Sequence, residues 1–544
     1  AEDGAVTDFP LDLLAGMDAG AIAALRSYAG RPRVRGTLPL APGSWEVHVI
    51  QRYAPDPRAR RLAYLINNTG RTAPVALLES FLHARGELGI LTGKRSYAEM
   101  ALQDKMAGSP EHVARFLRAL AHTQRPAALS ARERLLALKR IAEPGAAIGG
   151  HTLLEPWDRE FYADRYAAEH TDTSLPPLTP FLSLGDVFAG LSRLFFLLYG
   201  IHLRAVPLAP GEGWSPDVIK LQVCDEADGG EIGTILCDLF ARRGKPPSAA
   251  HYTIRCSRRI DRDDPDEDVR IAAPGAHIPT HNLLGIRGTA LRGREGRYQL
   301  PIIALLCDFP SPIADAPTLL RWHEVETLFH EMGHAIHSMI GRTEFHNVSG
   351  TRCATDFVEL PSILMEYFVA APQVTGLFGR HFQTGAPLPP QLLHAHLATA
   401  RALDGLETNA QILLAAIDQA YHSERAVMPG FSTSGELTVL NDQIGLMPSV
   451  PDTTWQGQFG HLAGYGATYY SYLFDRALAR RVWHHIFAAD PLSRAAGEHF
   501  KHTVLRFGGG RDPWLMLAEL LGDHELAAGD GAAMERVGTW DVGA

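Results

Sequence analysis

The chain has 544 residues, a formal net charge of −10, 46% hydrophobic and 21% charged residues. That balance belongs to a globular protein and gives no electrostatic footprint for nucleic acid, which a binder shows as a basic surface. Its length allows one large core or two to three ordinary ones. The five cysteines, Cys224, Cys237, Cys256, Cys307 and Cys353, are scattered and form no CxxC pair. Neither a disulfide framework nor a cysteine zinc site is indicated, so a reducing compartment is the simpler expectation. The most apolar short run, Leu194 to Leu203, is broken by Gly200 and His202 and is too short to span a bilayer, so no membrane insertion is expected.

The chain opens on Ala1, with Glu2, Asp3, Asp8, Asp12 and Asp18 ahead of its first base, Arg26. A transit peptide is rich in arginine and poor in acids, and a secretory signal needs a basic start before an apolar run. The start fits neither, and reads as a mature form or a fragment. Residues 1–75, with Gly36, Pro39, Pro42, Gly43, Pro55 and Pro57, yield no confident elements and are expected to be an incomplete N-terminal region. From Val75 to about Ala121 the spacing turns helical, with further helices after Tyr97 and after Ser109-Pro110, an N-cap followed by proline at the first helical position. Another helix is expected over Arg159 to Glu169, after the Glu155-Pro156-Trp157-Asp158 turn, and another around Leu184 to Leu198. Strand-like runs follow at Ile219 to Cys224, Ile232 to Phe240, His251 to Cys256 and Gln299 to Phe309. Ile260 to Arg297, acidic and then glycine-rich, reads as a solvated, mobile insertion.

Trp322 to Ile340 holds the chemistry. His330-Glu331-Met332-Gly333-His334 is His-Glu-x-x-His, and on a helix its imidazoles fall on one face about 6 Å apart along the axis. Both can reach one metal, with Glu331 beside them, placed to hold a metal-bound water rather than the metal. Val325, Leu328, Phe329, Met332, Ala335, Ile336, Met339 and Ile340 form an apolar face, and Gly341 stands where a helix end favours a left-handed residue. Composition alone makes about 0.13 such motifs expected by chance, so the surroundings must decide.

A catalytic zinc takes three protein ligands and keeps one position open. A second helix can form near Asp356-Phe357-Val358-Glu359-Leu360-Pro361, with Pro361 in its first turn. Glu359 is the preferred third ligand, and Glu366 or Asp356 can orient an imidazole from behind. His337 is a rival ligand. Farther on, Tyr465, Tyr469 and Tyr472 are spaced i, i+4 and i+7, an aromatic stripe on one helical face, with Gly464 and Gly466 favouring a flexible approach.

The runs His330 to Met339, Gly350-Thr351-Arg352-Cys353, Asp356 to Ser362, His461 to Tyr472 and Gly508 to Pro513 resemble the mitochondrial intermediate peptidases, of the thimet oligopeptidase family of zinc metallopeptidases. Ser96 to Met100, Asp104 to Met106 and Glu155 to Asp158 fit as well, so the resemblance runs from about Leu77 to Leu521. It implies His330, His334 and Glu359 as ligands of one Zn2+, Glu331 as general base, and Tyr469, Tyr472, His461 and Tyr465 as residues that stabilise the oxyanion and hold substrate. The fold it implies is mainly α, a two-lobed helical zincin with a small β-sheet next to the HExxH helix and a deep substrate channel. The expected division is 1–75, then 76–300 as a helical lobe with the small sheet and the 260–297 insertion, then 301–544 as the catalytic region. The activity it implies is removal of an N-terminal octapeptide from precursors imported into the mitochondrial matrix, after a first presequence cleavage, by a monomer acting on peptide or unfolded N-termini. The alternatives are a general oligopeptidase and, in another class, an inactive binding scaffold.

Overall fold

The computed structural model describes residues 6–29, 34–69, 72–145, 152–171, 175–227, 230–261, 288–291, 294–312 and 316–542. Most of the 260–297 insertion therefore lies outside the described residues. Its ends form a three-stranded sheet, Arg258–Arg259, Arg297–Gln299 and Thr289–Ala290, with Arg297–Gln299 in the middle. The five cysteines are free.

The chain folds into two compact units that are not contiguous in sequence. One comprises Ala1–Ser174, Ala395–Leu473 and Asp530–Ala544, the other Leu175–His394 and Phe474–Gly529. This partition differs from the linear one expected from sequence, because packing joins segments hundreds of residues apart.

In the first unit, the described residues among 1–75 form more regular elements than their prolines suggest. Strands Thr7–Pro10 and Thr37–Leu40 pair antiparallel. Helices Ala19–Tyr28, Trp45–Tyr53 and Pro57–Asn68 pack with them around Phe9, Leu14, Val47, Ile50 and Ile66. Pro57 begins a helix rather than breaking one, at the first position after the Asp56 cap, where no N–H is needed. Ser109 caps the helix Pro110–Ala142 as expected, its hydroxyl accepting the His112 N–H. That helix runs on past Ala121 with Pro126 inside it. The helix Asp404–Tyr421 packs at that point, where a Cβ on Gly405 would lie 2.7 Å from the Ala127 carbonyl oxygen.

The second unit holds a five-stranded sheet in the order Ile201–Val206, Ile219–Asp225, Gly230–Phe240, Ile302–Phe309, Ala250–Arg255. Gly230–Phe240 and Ile302–Phe309 run parallel, and the other neighbours antiparallel. The strand-like runs expected from sequence are present, except that the last begins at Ile302, Gln299 belonging to the three-stranded sheet, and Ile201–Val206 is added to them. The helix Trp322–Ile340 lies on this sheet so closely that a Cβ on Gly233 would sit 2.2 Å from Met339 Sδ. No helix among the described residues is long and apolar enough to cross a membrane.

Candidate metal centre

The helix Trp322–Ile340 spans the residues the motif predicts, and every residue of its expected apolar face is buried. Its start is set by Glu324, whose carboxylate takes the Arg321 N–H at 2.7 Å. Its end does not use a left-handed glycine: Gly341 has φ −74°. Glycine is required there for contact instead, since a Cβ would lie 2.8 Å from Gly350 Cα.

Gly333, between the histidines, has a similar reason to be glycine. A Cβ there would meet Ser362 Cα at 2.6 Å and the Pro361 carbonyl oxygen at 2.7 Å. The helix Leu360–Val369, with Pro361 in its first turn, thus seats directly on the histidine motif. Glu359, just before that helix, reaches both imidazoles, its Oε2 3.2 Å from His330 Nε2 and 3.1 Å from His334 Nε2. Ser362 Oγ donates to the same oxygen at 2.9 Å. The Glu359 N–H in turn donates to Asp475 Oδ2 at 3.0 Å.

His330, His334 and Glu359 form the one group among the described residues able to hold a metal ion, with ligand atoms all within 4.8 Å of one another. Two nitrogens and one oxygen are a donor set that zinc accepts, and ligands about 2.0–2.1 Å from a tetrahedral ion stand about 3.3 Å apart. The observed nitrogen-to-oxygen separations match that spacing. Electrostatics agree. Burial opposes charge on His330, yet Glu359 and Glu366 at its two ring nitrogens outweigh burial and raise its pKa to about 10. Burial likewise opposes charge on Glu359, but the two imidazoles hold its carboxyl well below the usual range. The acids draw positive charge into this spot, which a divalent cation supplies.

Of the alternatives for orienting an imidazole, Glu366 does so: its Oε1 lies 2.7 Å from His330 Nδ1, leaving Nε2 for a metal. Asp356 is fully buried among the acids of this region. His337 is also fully buried, outside the metal-binding group, with neither ring nitrogen hydrogen-bonded among the described residues. Burial depresses its pKa to about 3, so it is a neutral core residue.

Glu331 is 8% exposed, and burial raises its carboxyl above the ordinary value while the two imidazoles pull it down. The backbone of His251, on the edge strand, also works to lower the Glu331 carboxyl. The His251 ring stands 5.8 Å from that of His334 and lies 3.0 Å from Ser338 Oγ through Nε2. A carboxylate of raised basicity beside a metal-ligating pair can move a proton.

The late tyrosines belong to the other unit. Only Tyr472 lies in a helix, Ser471–Val482; Tyr465 follows the short helix His461–Gly464, and residues 466–470 are turns. The helical face expected from their spacing is therefore absent. The rings gather all the same, with His461 at 5.9 Å from Tyr465, 5.2 Å from Tyr469 and 6.0 Å from Tyr472. The Tyr469 hydroxyl donates to Gln411 Oε1 at 2.7 Å. Sequence reading missed Asp475, His251 and Gln411, since each lies outside the motifs and acts through a contact distant in sequence.

A helix with imidazoles at i and i+4, a carboxylate closing the group and a glutamate beside it defines the class of HExxH metallopeptidases. The chain belongs to peptidase family M3, whose pattern matches residues 50–536. It is 58% identical to the mitochondrial intermediate peptidase of Malassezia globosa, over 99% of this chain and 66% of that protein. It is 48% identical to the protein of the same name from Mycosarcoma maydis, over 93% of this chain and 61% of that one. The chain thus spans two-thirds or less of these relatives' lengths. Among solved structures it is similar in fold to a putative oligoendopeptidase F, with TM-score 0.51 and 14% identity over 93% of this chain and 72% of the other.

Proposed function

We propose that the protein is a zinc metalloendopeptidase that removes an N-terminal octapeptide from once-processed precursors in the mitochondrial matrix, acting as a monomer. The observation behind the chemistry is the convergence of His330 Nε2, His334 Nε2 and Glu359 Oε2. The named relatives support the choice of substrate. When bound, zinc supplies Lewis acidity that polarises the oxygens it meets.

Glu331 takes a proton from the attacking water and passes it to the leaving amine nitrogen. Glu366 keeps His330 in the tautomer that offers Nε2 to the metal. The edge strand Ala250–Arg255 receives an extended peptide by strand addition, with Tyr252 and Ile254 exposed along it. Tyr465, Tyr469, Tyr472 and His461 meet the peptide carbonyl and share the developing oxyanion charge. The expected deep substrate channel and the catalytic region 301–544 belong to the same reading.

The test sets the zinc-loaded protein against a once-processed precursor and unrelated short peptides. Release of the octapeptide alone supports the assignment, and indiscriminate cutting of the short peptides favours a general oligopeptidase. Glu331→Gln should keep zinc and lose at least about 100-fold in kcat, the usual size of a general-base contribution. A wild type that binds no zinc and is as inert as the variant would leave only the binding scaffold.

A further inference from the structure

The structure assigns to Asp418 the role of positioning residue for the turn that carries Tyr465 and Tyr469, an inference that rests on the proposed role of those tyrosines. Asp418 lies on the helix Asp404–Tyr421 and is 1% exposed. Its carboxylate accepts two N–H groups of the turn, Oδ1 from Ala467 at 2.9 Å and Oδ2 from Tyr469 at 3.0 Å. The same Oδ1 stands 3.0 Å from His422 Nδ1. The neighbouring Gln419 holds the next peptide group, donating to the Ala467 carbonyl at 2.7 Å.

The turn needs such a brace. Ala467 sits in the left-handed region at φ +64°, where a residue with a Cβ is strained and stays only if its surroundings impose it. Residues 466–468 are Gly, Ala and Thr, too small to form a core that fixes the turn. Gly466 lies against the brace, since a Cβ would meet Arg85 Nη1 at 2.4 Å and His422 Nε2 at 2.7 Å. Arg85 ties down the start of the segment through the Leu462 and Ala463 carbonyls. A buried carboxylate taking two N–H groups of one turn, those of Ala467 and Tyr469, makes the strong, charge-assisted kind of hydrogen bond. It decides where the Tyr469 ring points, and through the turn it decides where Tyr465 points. Asp418 touches no reacting atom in this account and acts only through the tyrosines.

The experiment is a double-mutant cycle on the zinc-loaded protein, combining Asp418→Asn with Tyr469→Phe and reading kcat, KM and zinc affinity on a quenched fluorescent peptide. Asp418→Asn replaces one acceptor with a donor facing a turn N–H. It should lower kcat by about 10-fold or more with zinc affinity and KM changed by less than about 2-fold, and cost less than about 2-fold in kcat once Tyr469 is already Phe. Losses that multiply in the double variant, or an unchanged kcat in Asp418→Asn, overturn the positioning role. If Tyr469→Phe alone leaves kcat unchanged, the catalytic reading of the tyrosine fails instead. Gln419→Glu, which loses the donor to Ala467 at a half-buried site, carries the same cycle should Asp418→Asn not fold.

Discussion

At the scale of single residues, the centre depends on groups that hold the ligands as much as on the ligands. Glu366 holds His330 by its far nitrogen, and losing such a partner typically costs 10–100-fold in metal affinity. Glu366→Gln should weaken zinc binding by that order in a chelator competition while the fold stays intact. Gly333→Ala is the steric counterpart. Its new methyl meets backbone atoms of Pro361 and Ser362, which cannot swing away as a side chain can. Overpacking of this kind costs about 1–3 kcal/mol. Thermal unfolding should show that loss, and zinc affinity should fall with it, because the displaced residues adjoin Glu359.

At the scale of elements, the strand Gly230–Phe240 ends on a charge cluster around the buried Asp238 that contributes to the acid limb of stability. Burial opposes ionisation of Asp238, but hydrogen bonds from Arg242, Trp214 and Lys245 outweigh it and hold the carboxyl well below its usual range. The folded state then binds this proton less readily than the unfolded chain, whose aspartates titrate near about 3.9. The contribution is fully present above that value and drains away as pH falls below it toward the folded pKa. Asp238→Asn should therefore be less stable at neutral pH and lose less stability between about pH 4 and 2. Urea midpoints across that range would check it, and parallel curves for the two proteins would refute it.

At the scale of the whole molecule, a metal bound by the native state alone adds stability by mass action, about 2.7 kcal/mol when free zinc is a hundredfold above Kd. Stripping zinc with a chelator should lower the unfolding temperature along with the activity, and restoring one equivalent should recover both. Glu359→Ala should lose most of that zinc-dependent shift, since it removes one of the three proposed ligands.

Much of this was written locally. The helix Trp322–Ile340, its buried face and its two imidazoles follow from 3.6-residue spacing within one stretch, and Ser109, Pro110 and the four strand runs obey equally local rules. Pro57 and Pro126 show where such rules run out, because a proline at a helix start and one inside a packed helix look alike in sequence. What tertiary structure alone decided involves partners far apart in the chain. Glu366 rather than Asp356 holds His330, His337 is left neutral in the core, Asp475 holds the Glu359 backbone, and Asp418 holds a turn that no helical periodicity describes. The physical reason is the same for each. Spacing fixes which face a side chain shares with its neighbours, whereas the identity of a hydrogen-bond partner depends on which distant backbone folds within about 3 Å of it.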